Sequence, residues 1–439
     1  MATRSRLLFP LTQHIVKIDY AINMTSDFVT AEEAARWLQV SRATLYAYVS
    51  RGLIRSEPVP GSKARRYHRD DVEALASRGR GAGPRASASA LRFGEPIFES
   101  AISLIRDNRL FYRGRDVVEL AGSETFESVA ALLWTGEAGD ARWPSPDGLD
   151  ARRPGEIVRT TAGGSPIERA AAGLLASGLG DEARFAVMRE QAARAARRIV
   201  RTVVALMAPN ERVAAALAAD STAEALWIAL SEGGARAPAS SLRAVDAALV
   251  LCADHELNAS TFAARIAAST GASLYAVVTA ALATLSGPRH GGASDRVEAM
   301  LREIEREASS AGDVGAAVAA RLARGEGVVE YGHPLYPGGD PRYAALRKLC
   351  DSVPARKGAR ASVSRLDAVD DAARALGYGE PTLDVGLVAL RIALGLQSGS
   401  AAAVFAAGRT AGWIAHAIEQ AATGELLRPR ARYVGPPPG

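Results

Sequence analysis

Along most of this chain the apolar residues recur every three or four positions, the period of a helix, and seldom every second position, the period of a strand. Over residues 241–424 nearly every segment carries that helical period, and alternating β-branched residues are scarce. Val297, Met300, Leu301 and Ile304 fall on one face of a charged stretch, which predicts an amphipathic helix over 294–308. The preceding run, 266–288, contains no charged residue. Its scattered serines, threonines and two glycines argue for a buried core helix and against a membrane span. Residues 137–240 read as a string of Ala-, Arg- and Leu-rich helices broken at Pro144, Pro154, Gly163-Gly164 and Pro209. No self-similar period stands out. The pattern predicts a mainly α protein.

The front end is built differently. Thr30 and Glu33 have the spacing of a capping box, opening a short helix with Ala34, Ala35 and Leu38 turned inward. Val40-Ser41 makes a tight turn, and Ser41 can cap a second helix holding Thr44, Leu45, Tyr46, Tyr48 and Val49, which Gly52 stops. Pro58-Val59-Pro60-Gly61 then leads into Lys63, Arg65, Arg66, Tyr67, His68 and Arg69, a basic wing, and Asp70 starts a third helix through Val72 and Leu75. This order resembles the winged helix-turn-helix of MerR and excisionase proteins. The resemblance implies DNA as a partner. Arg42, Thr44, Tyr46 and Arg51 would lie on the helix entering the major groove, and Lys63, Arg65 and Arg66 on a wing against phosphates. Two helices joined by a turn are also a common packing unit, so docking on the rest of the chain or stabilising an oligomer are the other readings. The expected layout is an extension over 1–26, this small domain over 27–76, a flexible Gly/Ser/Ala-rich linker over 77–91 and a body over 92–439.

Charge sharpens that division. Residues 1–92 carry 15 Lys and Arg against 8 Asp and Glu, a net of +7 in a chain whose total is +5, so the body is slightly acidic. A polyanionic partner is therefore expected at the front and not on the body. Cys252 and Cys350 are the chain's two cysteines, too few for a disulfide framework or a zinc pattern, and a reducing cytoplasm is the expected setting. Pro10, Gln13, His14 and Lys17 interrupt any signal-peptide core, and Met24 is an alternative start.

Three of the six histidines stand in unusual company. His255 lies in Asp254-His255-Glu256-Leu257-Asn258-Ala259-Ser260, and His290 in Gly287-Pro288-Arg289-His290-Gly291-Gly292. His333 opens a stretch running Gly332-His333-Pro334-Leu335-Tyr336-Pro337-Gly338-Gly339-Asp340-Pro341-Arg342. On its own His290 reads as a turn histidine satisfied by backbone, or as a neutral imidazole at a helix start, able to donate to an enolate oxygen. Asp384, before an apolar helix, reads alone as a cap. In order and flanking residues the three motifs resemble citrate synthase and its relative 2-methylcitrate synthase. Tyr112-Arg113-Gly114-Arg115-Asp116 and Leu132-Leu133-Trp134-Thr135-Gly136 resemble the amino-terminal entry of the same family.

That resemblance implies a large and a small helical domain with a cleft between them, and condensation of acetyl-CoA with oxaloacetate and water to citrate and CoA. Propionyl-CoA is the substrate in the 2-methylcitrate alternative, and a metabolite-sensing DNA-binding regulator is the other. No cofactor or metal is implied, since the CoA thioester is itself a substrate. His290 would donate to the thioester oxygen, His333 to the ketone, and Asp384 would be the base. His255, Arg342, Arg409 and Arg428 would hold carboxylates, Arg428 in the neighbouring subunit of a homodimer. Two departures stand out. Asp384 follows Thr382-Leu383 where the family has Asn-Val, and Pro337 stands where many relatives carry a Lys or Arg for a CoA phosphate. Arg289 or Lys348 could substitute. No P-loop, dinucleotide fingerprint or nucleophile triad competes.

Overall fold

The computed structural model describes the chain from Phe28 onward, apart from residues 39, 51, 60–63, 73–74, 76–97, 141–142, 144–151, 186–188, 235, 309–310, 355–357, 432 and 437–439. The expected extension over 1–26 and linker over 77–91 lie outside the described residues, as do Arg51 and Lys63. Contacts divide the chain into two compact units that meet between Phe98 and Glu99.

The front unit begins with β1 (Phe28–Thr30), followed by α1 (Ala31–Leu38), α2 (Arg42–Ser50), β2 (Ser56–Pro58) and β3 (Arg65–His68). The capping box forms as its spacing predicts: Thr30 N donates to Glu33 Oε2 at 2.8 Å, and Glu33 N to Thr30 Oγ1 at 3.2 Å. Ser41 Oγ accepts from Thr44 N at 3.2 Å and so opens α2. The wing is the β2–β3 pair, in register Ser56 to Tyr67. β1 closes the other edge of β3, giving the antiparallel order β1-β3-β2. Three residues are too few to show an alternation, so β1 was not legible beforehand. Val29, Ala34, Leu45, Ile54, Tyr67 and Val72 make this unit's own small core.

The second unit opens with a small sheet, β4 (Ser103–Arg106), β5 (Arg109–Tyr112) and β6 (Arg115–Asp116), paired in that order and antiparallel. It is an addition to the all-helical body expected from the period. Asp107 and Asn108, at φ 52° and 60°, make the tight left-handed turn that joins β4 to β5. Beyond it the body is helical. The uncharged run is two helices and not one: Ala259–Ser269 and Leu274–Leu285. Gly271 turns the chain at φ 76°, and Ser273 caps the second helix by accepting from Ala276 N at 3.3 Å. Both pack on the 24-residue helix Ser400–Thr423, which is buried along most of its length and also receives Ala239–Cys252.

Small residues make that last crossing possible. A Cβ on Gly412 would stand 2.3 Å from Ala253 O, and one on Gly408 2.7 Å from Leu249 O. The main core surrounds this crossing. A second, smaller cluster forms from Met300, Ile304, Val314, Val318, Val328, Val369 and Ala373. The helix Ala293–Glu307 serves both, with Val297 and Leu301 in the main core and Met300 and Ile304 in the second. Among the described residues no helix is long and apolar enough to cross a membrane.

Candidate functional site

Six of the seven residues singled out for the body sit at the ends of helices or in the middle of the long one. His255 lies on the loop after Ala239–Cys252, and His290 in the turn between Leu274–Leu285 and Ala293–Glu307. His333 is on the loop leading to Pro341–Ser352, whose first turn holds Arg342. Asp384 is in the first turn of Leu383–Leu394, and Arg409 is mid-helix in Ser400–Thr423. The His255 and His333 rings meet edge to face with centroids 5.3 Å apart. Tyr336 joins them, its hydroxyl 2.9 Å from His255 Nε2 and its ring 5.1 Å from that of His333. The Arg342 guanidinium lies over the Tyr336 ring at 5.3 Å.

Proton positions follow from the partners. Leu335 N donates to His333 Nδ1 at 3.1 Å, so the neutral ring carries its proton on Nε2 and is a donor there. Burial, and then the nearby Arg342, pushes His333 down to about 4. Burial and Arg409 do the same to His290, also to about 4, and His255 is depressed well below its usual value, by burial first and by Arg342 and Arg409 next. All three rings are therefore neutral near pH 7. The cause at His290 differs from that expected, since the next helix is capped two residues later, at Gly292.

His290 Nε2 is 2.9 Å from Ser260 Oγ. That hydroxyl also accepts from Trp413 Nε1 at 3.1 Å and donates to Asn258 Oδ1 at 2.8 Å. With the Ser260 proton on Asn258, His290 must carry its proton on Nε2; turning the hydroxyl towards His290 moves the imidazole proton to Nδ1. The network thus holds the ring and permits either tautomer.

Asp384 is not a helix cap. Thr382 occupies the cap position and makes no side-chain cap bond, whereas Asp384 Oδ1 accepts from Ser294 Oγ at 2.7 Å. Burial raises this carboxyl to about 6 despite that bond, into the range useful for a base. Arg342 is 3% exposed and forked onto Asp340, through Nε to Oδ1 at 2.9 Å and Nη2 to Oδ2 at 2.7 Å. Asp340 Oδ2 also accepts from Leu383 N at 3.1 Å, which ties this pair to the start of the helix carrying Asp384. Arg409 is 1% exposed; its Nε donates to Cys252 O at 2.8 Å, while Nη1 is buried without a partner. An unpartnered guanidinium nitrogen is a costly thing to bury, and a carboxylate would relieve it.

Arg428 stands apart from this cluster. It is exposed on the extended segment after Ser400–Thr423, and within one chain it joins none of the cluster's described hydrogen bonds. Pro337, Arg289 and Lys348 are exposed. Sequence reading passed over Tyr336, Ser260, Ser294 and Asp340, although three of them lie within two residues of a motif histidine, arginine or glycine pair. It also passed over a buried line behind His255. Arg265 Nε donates to His416 Nδ1 at 3.0 Å, which leaves the His416 Nε2 proton facing Asp254 at 3.3 Å.

In the front unit Arg42 is exposed, with only a 3.6 Å ion pair to Glu32, and Tyr46 is exposed beside it. Thr44 Oγ1 is 2.9 Å from Ser41 Oγ, so its hydroxyl is engaged within the turn. The wing arginines lie along β2. Arg65 donates to Ser56 Oγ and Ser56 O at 2.9 and 2.8 Å, and Arg66 to Glu57 Oε2 at 2.9 Å while covering the Phe28 ring at 4.0 Å.

Residues 92–430 match the family described as citrate synthase, C-terminal domain, and residues 28–80 match a helix-turn-helix domain. The chain is 35% identical over 198 residues to citrate synthase 2 of Bacillus subtilis, an alignment covering 44% of this chain and 51% of that one. It is 34% identical over 200 residues to 2-methylcitrate synthase of Shewanella oneidensis, covering 45% and 51%. The chain thus spans about half the length of the curated relatives it matches. Its fold is similar to that of the Thermoplasma acidophilum citrate synthase solved with carboxymethyl coenzyme A and oxaloacetate, with a TM-score of 0.67, 23% identity, and coverage of 80% of this chain and 97% of that one.

Proposed function

The chain belongs to the citrate synthase family, and from that premise we propose that it condenses acetyl-CoA with oxaloacetate and water to give citrate and CoA. The observation that carries this reading is the convergence around one site of neutral histidines, a carboxylate at about 6 and a buried arginine with an unpartnered nitrogen.

Asp384 removes a methyl proton from the thioester. The negative charge that develops on the thioester oxygen is met by His290, once the Ser260 hydroxyl has turned towards Nε2 and left the proton on Nδ1. A neutral donor suits this step because it stabilises the enolate without quenching it. The enolate carbon attacks the ketone carbon of oxaloacetate, whose oxygen accepts the His333 Nε2 proton. The carboxylates of oxaloacetate are held by Arg409, Arg342 and His255, with Arg428 contributed by a second copy of the chain. Water then cleaves the citryl thioester and releases CoA. Arg409 and Arg342 lie close enough to act on one another, which is a geometry suited to a dianion.

Thiol release from acetyl-CoA with and without oxaloacetate tests the reading, with propionyl-CoA run in parallel. Oxaloacetate-dependent release is expected; its absence with both thioesters overturns the enzymatic reading. Faster release from propionyl-CoA moves the assignment to 2-methylcitrate.

For the front unit we propose duplex DNA as partner, on the matched helix-turn-helix and its exposed Arg42 and Tyr46. Titration of random and selected duplexes tests it, and absent binding to both would sink it.

A further inference from the structure

One loop, residues 330–341, supplies His333 and leads straight into Arg342, and both of its ends reach the same buried carboxylate. Tyr331, two residues before His333, donates from its hydroxyl to Asp370 Oδ1 at 2.6 Å. Tyr343, the residue after Arg342, donates to Asp370 Oδ2. Asp370 lies on the helix Ala359–Ala375 and is only 2% exposed, between Val369 and Ala373 of the second core cluster. We propose that Asp370 is a positioning residue for this site, closing the loop as a staple and setting both the His333 and the Arg342 end; the proposal rests on the condensation reading above.

The remaining anchors show why a staple is needed. The first end of the loop is also fixed by backbone, since Gly332 N donates to Glu380 O at 2.8 Å and Thr382 N to Glu330 O at 3.1 Å. Tyr331 further pairs with Pro381 as an isolated bridge. These bonds join the loop to the segment that leads to Asp384. The middle is held by Asn108, whose amide donates to Gly339 O at 2.6 Å and accepts from Gly338 N at 2.9 Å. At the far end Tyr343 is the side chain that returns to Asp370, so the carboxylate couples the entry and the exit of the loop directly. An ionised carboxylate has one oxygen for each phenol. An amide in its place could still hold both, because a phenol can turn and accept from the NH2, whereas an apolar side chain of similar shape offers neither phenol a partner. Asp370 makes no contact with substrate in this picture. It acts through two tyrosines, and the two ends carry different chemistry: His333 faces the reacting ketone, Arg342 a carboxylate that is bound before and after reaction.

That difference gives the test. Tyr343→Phe, which removes the carboxylate's hold on the Arg342 end and leaves only the Asp340 fork there, should raise the oxaloacetate KM about tenfold with kcat little changed, the signature of lost uniform binding. Tyr331→Phe, which leaves the His333 end to its backbone anchors alone, should lower kcat about tenfold with KM little changed, as when a transition-state donor is misplaced. Asp370→Leu, which offers neither phenol a partner, should show both effects, with the acetyl-CoA KM at its wild-type value. Two results overturn the staple: both Phe variants kinetically identical to wild type, or both changing the two parameters by one common factor in step with Tm. Amide hydrogen exchange over 331–343 in the substrate-free protein decides independently of turnover. Faster exchange there in Asp370→Leu supports the staple, and unchanged exchange overturns it. If the wild type releases no thiol, the condensation reading fails by itself, and exchange together with calorimetric oxaloacetate binding still judges the loop.

Discussion

At the scale of single residues the proposed reaction rests on neutral histidines and on one carboxyl that burial raises to about 6. Asp384 at about 6 is protonated below that pH and unable to accept a proton, so kcat should fall as pH drops through about 6 and level off above it. Asp384→Asn keeps the size and removes the base. It should cost on the order of 10²–10⁴ in kcat while oxaloacetate binding, followed by calorimetry, stays within a few fold. Substantial residual turnover in that variant would falsify Asp384 as the base. The residues themselves stood out beforehand, because His255, His290, His333 and Arg342 sit in runs of Gly, Pro and Asp that are unusual in a helical protein. What pattern could not show was who holds them. Ser260 and Tyr336 are ordinary polar residues in one dimension, and only the fold sets Ser260 Oγ among His290, Trp413 and Asn258. Asp384 also looked like a cap because an acidic residue at a helix start usually is one. Its contact with Ser294, 90 positions away, has no local signal.

Elements follow the same division between local and distant causes. The helical period correctly marked the face of Ala293–Glu307, and the capping box correctly opened α1. The uncharged run was misjudged as one helix since its composition hides the break, which is made by Gly271 and Ser273 alone. The sheet β4–β6 was missed because its strands are two to four residues long. The crossing of Ala239–Cys252 with Ser400–Thr423 has no signal in the helical period, yet it places both Arg409 and the His255 loop. At Gly412 an added Cβ would meet Ala253 O, which is backbone, and Asp254 Oδ1, the end of a short side chain that is fully buried. Gly412→Ala should therefore push the helices apart and cost about 1–3 kcal/mol, read as a lower denaturation midpoint. It should also weaken oxaloacetate binding, because Asp254 precedes His255 and Arg409 Nε bonds Cys252 O. A stable, fully active variant would remove the crossing from the account of the site.

For the whole molecule, the basic excess lies within the front unit, which contacts separate from the rest after Phe98. The front carries the basic excess, but its wing arginines are turned along β2 and Arg66 is partly neutralised by Glu57. Glu57→Gln should therefore tighten DNA binding and steepen its salt dependence, the reverse of Arg65→Ala/Arg66→Ala. Salt-insensitive, equal binding in all three would remove phosphate contacts from the wing. For the body, the proposed reaction calls for a second copy of the chain. Arg428 is exposed in one chain, while the buried cluster it is expected to serve already holds Arg342 and Arg409. If Arg428 completes a partner's site, Asp384→Asn and Arg428→Ala subunits are each inactive alone for different reasons. A mixed dimer then contains one site with both lesions and one with neither, since base and arginine come from opposite chains. Each mixed dimer should then have up to about half of wild-type activity, and random exchange, which makes about half of the dimers mixed, should restore about a quarter of wild type overall, by the statistics of a symmetric shared interface. Exchange is followed separately, with differently sized tags and native mass measurement. Demonstrated exchange without recovered thiol release would mean that each site is completed within its own chain, and Arg428 would lose its place in it.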